Sequence, residues 1–266
     1  MASRAEFICS TPLMEEIHQK LVEFSKTNAP LLLQGEKGVG KEQAARLIHR
    51  HSREGKPFIA VHCRNLSVES QQAQIFGSHK DRSKATDLDR PGKLQFASGG
   101  TLFLAEICDL APSVQTQLIQ VLAEGTFVWP YSDQRITVDV LLVAATCQNL
   151  ATARETGKLH EDWYSQLKAE VLEIPPLRHR RDEIPLLCNY FLEQISQEYD
   201  RFVEPIPEEL LKDFATHEWP GNMSELKGVL KRYVLLQDNE SIRAYLTLET
   251  DNKPRQRTNR KAAKTI

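Results

Sequence analysis

The stretch with the clearest chemistry is Gly35-Glu36-Lys37-Gly38-Val39-Gly40-Lys41. Gly35, Gly38 and Gly40 reach backbone angles closed to other residues, so successive N–H groups can turn inward and cradle phosphate oxygens. The start of a following helix adds its positive dipole end, and Lys41 adds a mobile positive charge suited to β and γ phosphates. Glu42 stands where such loops usually carry Ser or Thr, so the usual hydroxyl ligand for Mg²⁺ is missing. A plain glycine turn between a buried strand and a helix would also explain the glycines. It gives no reason for Lys41.

Positioning such a loop takes a strand before it and a helix after it. The apolar run Leu31-Leu32-Leu33 and the segment Glu42 to Ser52 supply both patterns. Ahead of them, Leu13, Ile17, Leu21 and Phe24 form the stripe of an amphipathic helix from Pro12 to Lys26. Further strands are expected at Phe58 to His62, Thr101 to Ala105, Val140 to Ala145 and Val171 to Ile174. Val68 to Phe76 and Ser113 to Glu124 read as helices, and Thr126 to Trp129 with Ile136 to Val138 as a hairpin around Ser132-Asp133. The stretch Gly77 to Pro91 is polar and aperiodic, as an exposed excursion would be. Near-continuous apolar strands alternating with helices predict a parallel α/β sheet.

After Pro175-Pro176 the pattern is helical only: Glu183 to Glu198, Glu208 to His217 and Met223 to Gln237. The expected division is an α/β portion over 1–175, a helical lid over 176–248, and a basic tail over 249–266. That tail carries Lys253, Arg255, Arg257, Arg260, Lys261 and Lys264 without periodicity, the composition of a disordered segment.

With 266 residues, 41% hydrophobic and 26% charged, the chain has the makings of a real core. A formal net charge of -2 gives no global pull toward nucleic acid or membrane. No apolar run approaches the roughly 18 residues that span a bilayer. The 5 cysteines are scattered and never form C-x-x-C, which points to a reducing cytoplasm without disulfides or a zinc site.

Several blocks occur together: GEKGVGKE from Gly35, KPFIAVHC from Lys56, Phe76-Gly77, GGTLFLAE from Gly99, VDVLLVAAT from Val138, IPPLRHRRDEIPLL from Ile174, and WPGN from Trp219 with Glu225-Leu226. Their order and spacing resemble the central AAA+ ATPase domain of the NtrC-type bacterial enhancer-binding proteins, the activators of sigma-54 RNA polymerase. The resemblance runs from about Thr11 to about Gln237 and implies a three-layer α/β/α P-loop NTPase sheet with a small C-terminal helical lid. In that family Glu follows the loop lysine, so Glu42 fits. The ligand implied is ATP or ADP, with or without Mg²⁺. Another nucleotide stays open, because such a loop reads phosphates and not bases.

The departures from the family are specific. GGTLFLAE is similar to a Walker B strand ending Asp-Glu, whose Asp positions Mg²⁺ and whose Glu polarises the attacking water. Here Ala105 stands in place of that Asp, which leaves Glu106 as a vestigial catalytic position and no metal ligand beside it. The family's F-R-x-D-L-Y-x-R-L segment supplies arginine fingers, worth about 10³ to 10⁵ in rate. Both arginine positions are replaced, by His160 and Gln166. The polar sensor position is Cys147, and the lid arginine position is Ser224. At the place of the sigma-contacting GAFTGA loop stands Asp81-Arg82-Ser83-Lys84-Ala85-Thr86, charged and without glycine.

Neither the stretch before Thr11 nor that after Leu248 reads as a receiver or helix-turn-helix domain. The expectation is a degenerate regulatory module that binds nucleotide and hydrolyses it weakly or not at all. Its partners would be other protein subunits, through self-association or a transcription-regulator partner, with non-specific DNA contact through the tail and no membrane. A working remodelling ATPase using Glu106, and a nucleotide-independent scaffold, are the competing readings. Lys41 buried in an ion pair beside a loop collapsed shut would contradict nucleotide binding.

Overall fold

Helix α1, Pro12–Phe24, begins where the Thr11 hydroxyl accepts the Met14 N–H at 3.4 Å and Pro12 fills the first turn. The structure, a computed structural model, describes residues 7–64, 66–78, 90–128, 135–167 and 171–251, with backbone alone at 164, 166, 167 and 248–251. Met14, Ile17 and Leu21 turn inward from α1. Strand β1, Leu31–Gln34, follows, its three leucines buried. Helix α2, Lys41–Ser52, then buries Ala44, Ala45, Leu47 and Ile48.

Next come β2 (Phe58–His62), α3 (Val68–Phe76), the short antiparallel pair β3 (Gly77–Ser78) and β4 (Arg90–Pro91), and α4 (Lys93–Phe96). Strand β5 is Thr101–Ala105 and α5 is Pro112–Glu124. The hairpin strands are β6 (Thr126–Val128) and β7 (Arg135–Thr137), followed by β8 (Leu141–Thr146), α6 (Leu150–Glu155), α7 (Glu161–Leu167) and β9 (Val171–Glu173).

The five long strands run parallel in the order β2-β5-β8-β1-β9. Alternate residues point to opposite faces, and both faces are covered. Leu31, Leu33, Phe103, Val143 and Ala145 pack with α1 and α2 on one side. Leu32, Leu102, Leu104, Leu142 and Ala144 pack with α3, α5 and Trp163 on the other. The α/β/α layering expected from the sequence is therefore present.

Beyond the sheet, 3₁₀ turns at Leu177–His179 and Arg181–Glu183 lead into α8 (Ile184–Tyr199), α9 (Glu208–Thr216), α10 (Asn222–Leu236) and α11 (Asn239–Asp251). These four helices share a core centred on Leu226, Leu230, Phe214 and Trp219. Trp219 donates its ring N–H to the Phe214 carbonyl at 2.8 Å. Helix α11 continues to Asp251, so the first three residues of the expected tail are helical, and 252–266 lie outside the described residues. So does the expected sigma-loop position 81–86. No described helix is long and apolar enough to cross a membrane. All five cysteines are free thiols; burial pushes Cys63 and Cys188 up to about 12.

Candidate functional site

The loop leaves the C-terminal end of β1, whose neighbours on either side are β8 and β9, and enters α2 at Lys41. Gly38 (φ +80°) and Gly40 (φ +103°) hold left-handed backbone that favours glycine. Five successive carbonyls, Gly35 to Val39, each accept a hydrogen bond. Lys41 Nζ donates to Gly35 at 2.6 Å and Glu36 at 3.0 Å. Asn222 Nδ2 donates to Lys37 at 3.0 Å, the Met223 N–H to Gly38 at 3.0 Å, and Arg180 Nη2 to Val39 at 2.8 Å.

A trans peptide points its N–H opposite to its C=O. The N–H groups of Glu36, Lys37, Gly38, Val39 and Gly40 are thereby aimed away from these donors, and among the described residues they reach no acceptor. Five unpartnered amide donors in succession, with an ammonium at the end of the loop, have the chemistry that an anion-binding concavity needs. The residues present fit a phosphate group.

Lys41 is 10% exposed, and burial draws its ammonium below the ordinary lysine value, an effect that the nearby Glu106 carboxylate opposes. Lys41 Nζ lies 3.8 Å from Glu106 Oε1, and Glu106 Oε2 accepts the Cys147 N–H at 2.9 Å. Glu106 itself sits at φ +61°, an uncommon conformation for a residue with a side chain, at the end of β5. Lys41 is thus half-buried and ion-paired, but the loop beside it has not collapsed. It opens on a cavity of about 420 Å³ whose walls include Lys41, Glu106, His62, Tyr190, Phe191 and Met223. That volume lies in the range of small-molecule sites.

The remaining residues of the expected site have other work. Glu36 receives both guanidinium nitrogens of Arg178, at 2.8 and 2.5 Å, and Asn222 Nδ2 at 3.2 Å. The Arg178 hydrogen bonds hold its carboxyl at about 2. Glu42 accepts from Arg46 Nε and Nη2, and that guanidinium stacks on Phe58. Lys37 is exposed, and Val39 is buried in the core. Ala105 presents a methyl group beside Glu106, and no described cluster of three His, Cys, Asp or Glu could hold a metal.

His160 is held locally: its N–H donates to buried Gln115 and its ring nitrogen accepts the Asp162 N–H. The Gln166 side chain lies outside the described residues. Arg178, Arg180 and Asn222 carry no signal of this role in the sequence, although the first two lie in IPPLRHRRDEIPLL and the third in WPGN.

Residues 7–173 match the family model described as the sigma-54 interaction domain, and residues 178–265 match the AAA+ ATPase lid domain. The chain belongs to the sigma-54 interaction domain family.

This sigma-54 interaction domain is 34% identical over 244 residues to the transcriptional regulatory protein ZraR of Salmonella typhi, covering 91% of the chain and 55% of ZraR. It is 39% identical over 211 residues to the phenol regulator MopR of Acinetobacter guillouiae, covering 79% of the chain and 38% of MopR. The chain thus spans about half the length of the curated relatives it matches. Among solved structures it is similar to NtrX from Brucella abortus in complex with ATP, with a TM-score of 0.77, 28% identity, and 87% and 53% of the two chains covered. The complex of NtrX with ADP matches with a TM-score of 0.78. This sigma-54 interaction domain is therefore homologous to transcriptional regulators and carries their AAA+ fold.

Proposed function

We propose that this chain binds ATP or ADP as a regulatory ligand, hydrolyses it weakly or not at all, and does not remodel sigma-54 polymerase. The observation that carries the reading is the set of five unpartnered amide N–H groups facing away from capped carbonyls, with Lys41 at their edge. Gly35 to Glu42 would hold the phosphates, and NtrX, a structural relative, is described in complexes with ATP and with ADP.

Weak hydrolysis is supported by side-chain chemistry. Ala105 offers no oxygen to a hydrated cation, and Glu106 is tied between Lys41 and the Cys147 amide. His160 and Gln166 lack the permanent forked charge of arginine. Ser224 puts a short hydroxyl on the lid side of the cavity. Occupancy would then act on shape or assembly, with other subunits or a second transcription regulator as partners. The subdomain break at Pro175-Pro176 and the tail's contact with DNA belong to the same proposal.

Calorimetric titration with ATP and a non-hydrolysable analogue, paired with steady-state turnover, tests this. Binding of both with negligible turnover is the expected result. No binding at millimolar nucleotide would overturn it, and brisk turnover that vanishes in Glu106→Gln would replace it with an active ATPase.

A further inference from the structure

Three of the five carbonyls that orient the loop are capped from outside the sheet portion. Asn222 Nδ2 reaches Lys37, the Met223 N–H reaches Gly38 and Arg180 reaches Val39. Because a peptide's C=O and N–H point oppositely, these three contacts aim the N–H groups of Gly38, Val39 and Gly40. Lys41 aims only those of Glu36 and Lys37.

Asn222 is central to this arrangement and is fully buried. Its Oδ1 accepts the Leu177 N–H at 2.7 Å, which fixes the orientation of the amide and turns Nδ2 toward the loop. Nδ2 then donates to both Lys37 O and Glu36 Oε2. The backbone turn that places it runs through left-handed Trp219 (φ +50°) and Asn222 itself (φ +54°). Asn tolerates that conformation better than most residues with side chains. The approach is close: a Cβ on Gly38 would lie 2.2 Å from the Gly221 carbonyl, and one on Gly40 would lie 2.4 Å from the Met223 methyl.

We propose that Asn222 is a positioning residue for the phosphate loop, so that the lid forms the back half of the anion site and phosphate affinity is linked to lid docking. The proposal rests on the nucleotide reading above and adds a route by which occupancy changes shape. A ligand held by the Gly38, Val39 and Gly40 amides favours the state in which their carbonyls are capped. Undocking the lid frees those peptides to rotate and lowers affinity by the same factor. Glu36 and Arg178 form a second clasp across the same joint.

Asn222→Asp keeps the side chain's size and the acceptor for Leu177, but removes both donors and sets a carboxylate beside Glu36. Asn222→Gly keeps the left-handed backbone and removes the amide. Each variant of the full chain is titrated with ATP and with inorganic pyrophosphate, and amide exchange at Met223 is followed without ligand. Weakening of both ligands by about tenfold or more, with faster Met223 exchange, is expected. Pairing Asn222→Asp with Glu36→Gln relieves the like charge and should recover part of the loss, which a merely structural defect would not. Affinity within twofold of the parent in both folded variants overturns the inference. If the parent binds neither ligand, the nucleotide reading fails. Met223 exchange then decides the inference alone, and an unchanged rate in Asn222→Asp sinks it.

Discussion

The Lys41 ammonium stands 3.8 Å from the Glu106 carboxylate while its protons go to the Gly35 and Glu36 carbonyls. One cation therefore braces the loop and answers the Glu106 carboxylate in the cavity wall. Lys41→Ala should weaken ATP binding by about 10- to 100-fold, the range for lost hydrogen bonds to a charged group. Glu106→Gln keeps an acceptor for the Cys147 N–H and should leave affinity within about threefold, since a single partly exposed ion pair contributes little. Calorimetric titration of both variants checks this, and the opposite ranking would mean that Glu106 holds the ligand.

Gly38→Ala should destabilise the fold and not merely the site. The new methyl would meet the Gly221 carbonyl at 2.2 Å in a backbone conformation that alanine rarely adopts. A loss of about 1–3 kcal/mol is expected, read as a lower melting temperature. Gly55→Ala is the control, because it shares a positive φ but has nothing within 4 Å.

Glu36 carries a pH signature. Its carboxyl is lowered from 4.5 to about 2, chiefly by the Arg178 hydrogen bonds. Stability from this pair is therefore fully present above pH 4.5 and is lost as pH falls from there toward 2. The pair is substantially exposed, so screening keeps the effect small and salt-sensitive. Denaturant melts across that window should show Arg178→Gln less pH-dependent than the parent. Identical slopes would remove Glu36 from the account.

Ala105→Asp restores an oxygen where the sheet presents a methyl group. Nucleotide affinity should become Mg²⁺-dependent, while turnover stays low because His160 and Gln166 are unchanged. Titration with and without Mg²⁺ decides the first half, and a steady-state assay the second.

Residue order made the sheet legible because β8 is an unbroken apolar run and β1 leads straight into a glycine-rich turn. The short helices α4, α6 and α7 gave no such signal, since stretches of four to seven residues hold too little periodicity. Helix α11 leaves little trace in the sequence because Ile242 and Leu246 are the main buried residues of its inward face. The loop residues were legible at the site, and the groups that orient them were not. Arg178, Arg180 and Asn222 meet partners 141 to 186 positions away, two of them backbone carbonyls that no side-chain pattern can announce. The Lys41–Glu106 pair was equally invisible, because it depends on β5 and β1 flanking β8.

Arg180 and Glu183, both nearly inaccessible to solvent, face each other at 3.5 Å. Glu183 also accepts the Ser10 and Thr11 N–H groups, and Arg180 grips Val39. Two side chains thus form a short mechanical linkage from the amino end of α1 to the Gly35–Gly40 turn. Tension applied through the chain at Ser10 would be felt at Val39 without first deforming any strand. Pulling experiments on Glu183→Gln, which slackens the joint while preserving its shape, would show how stiff that linkage is.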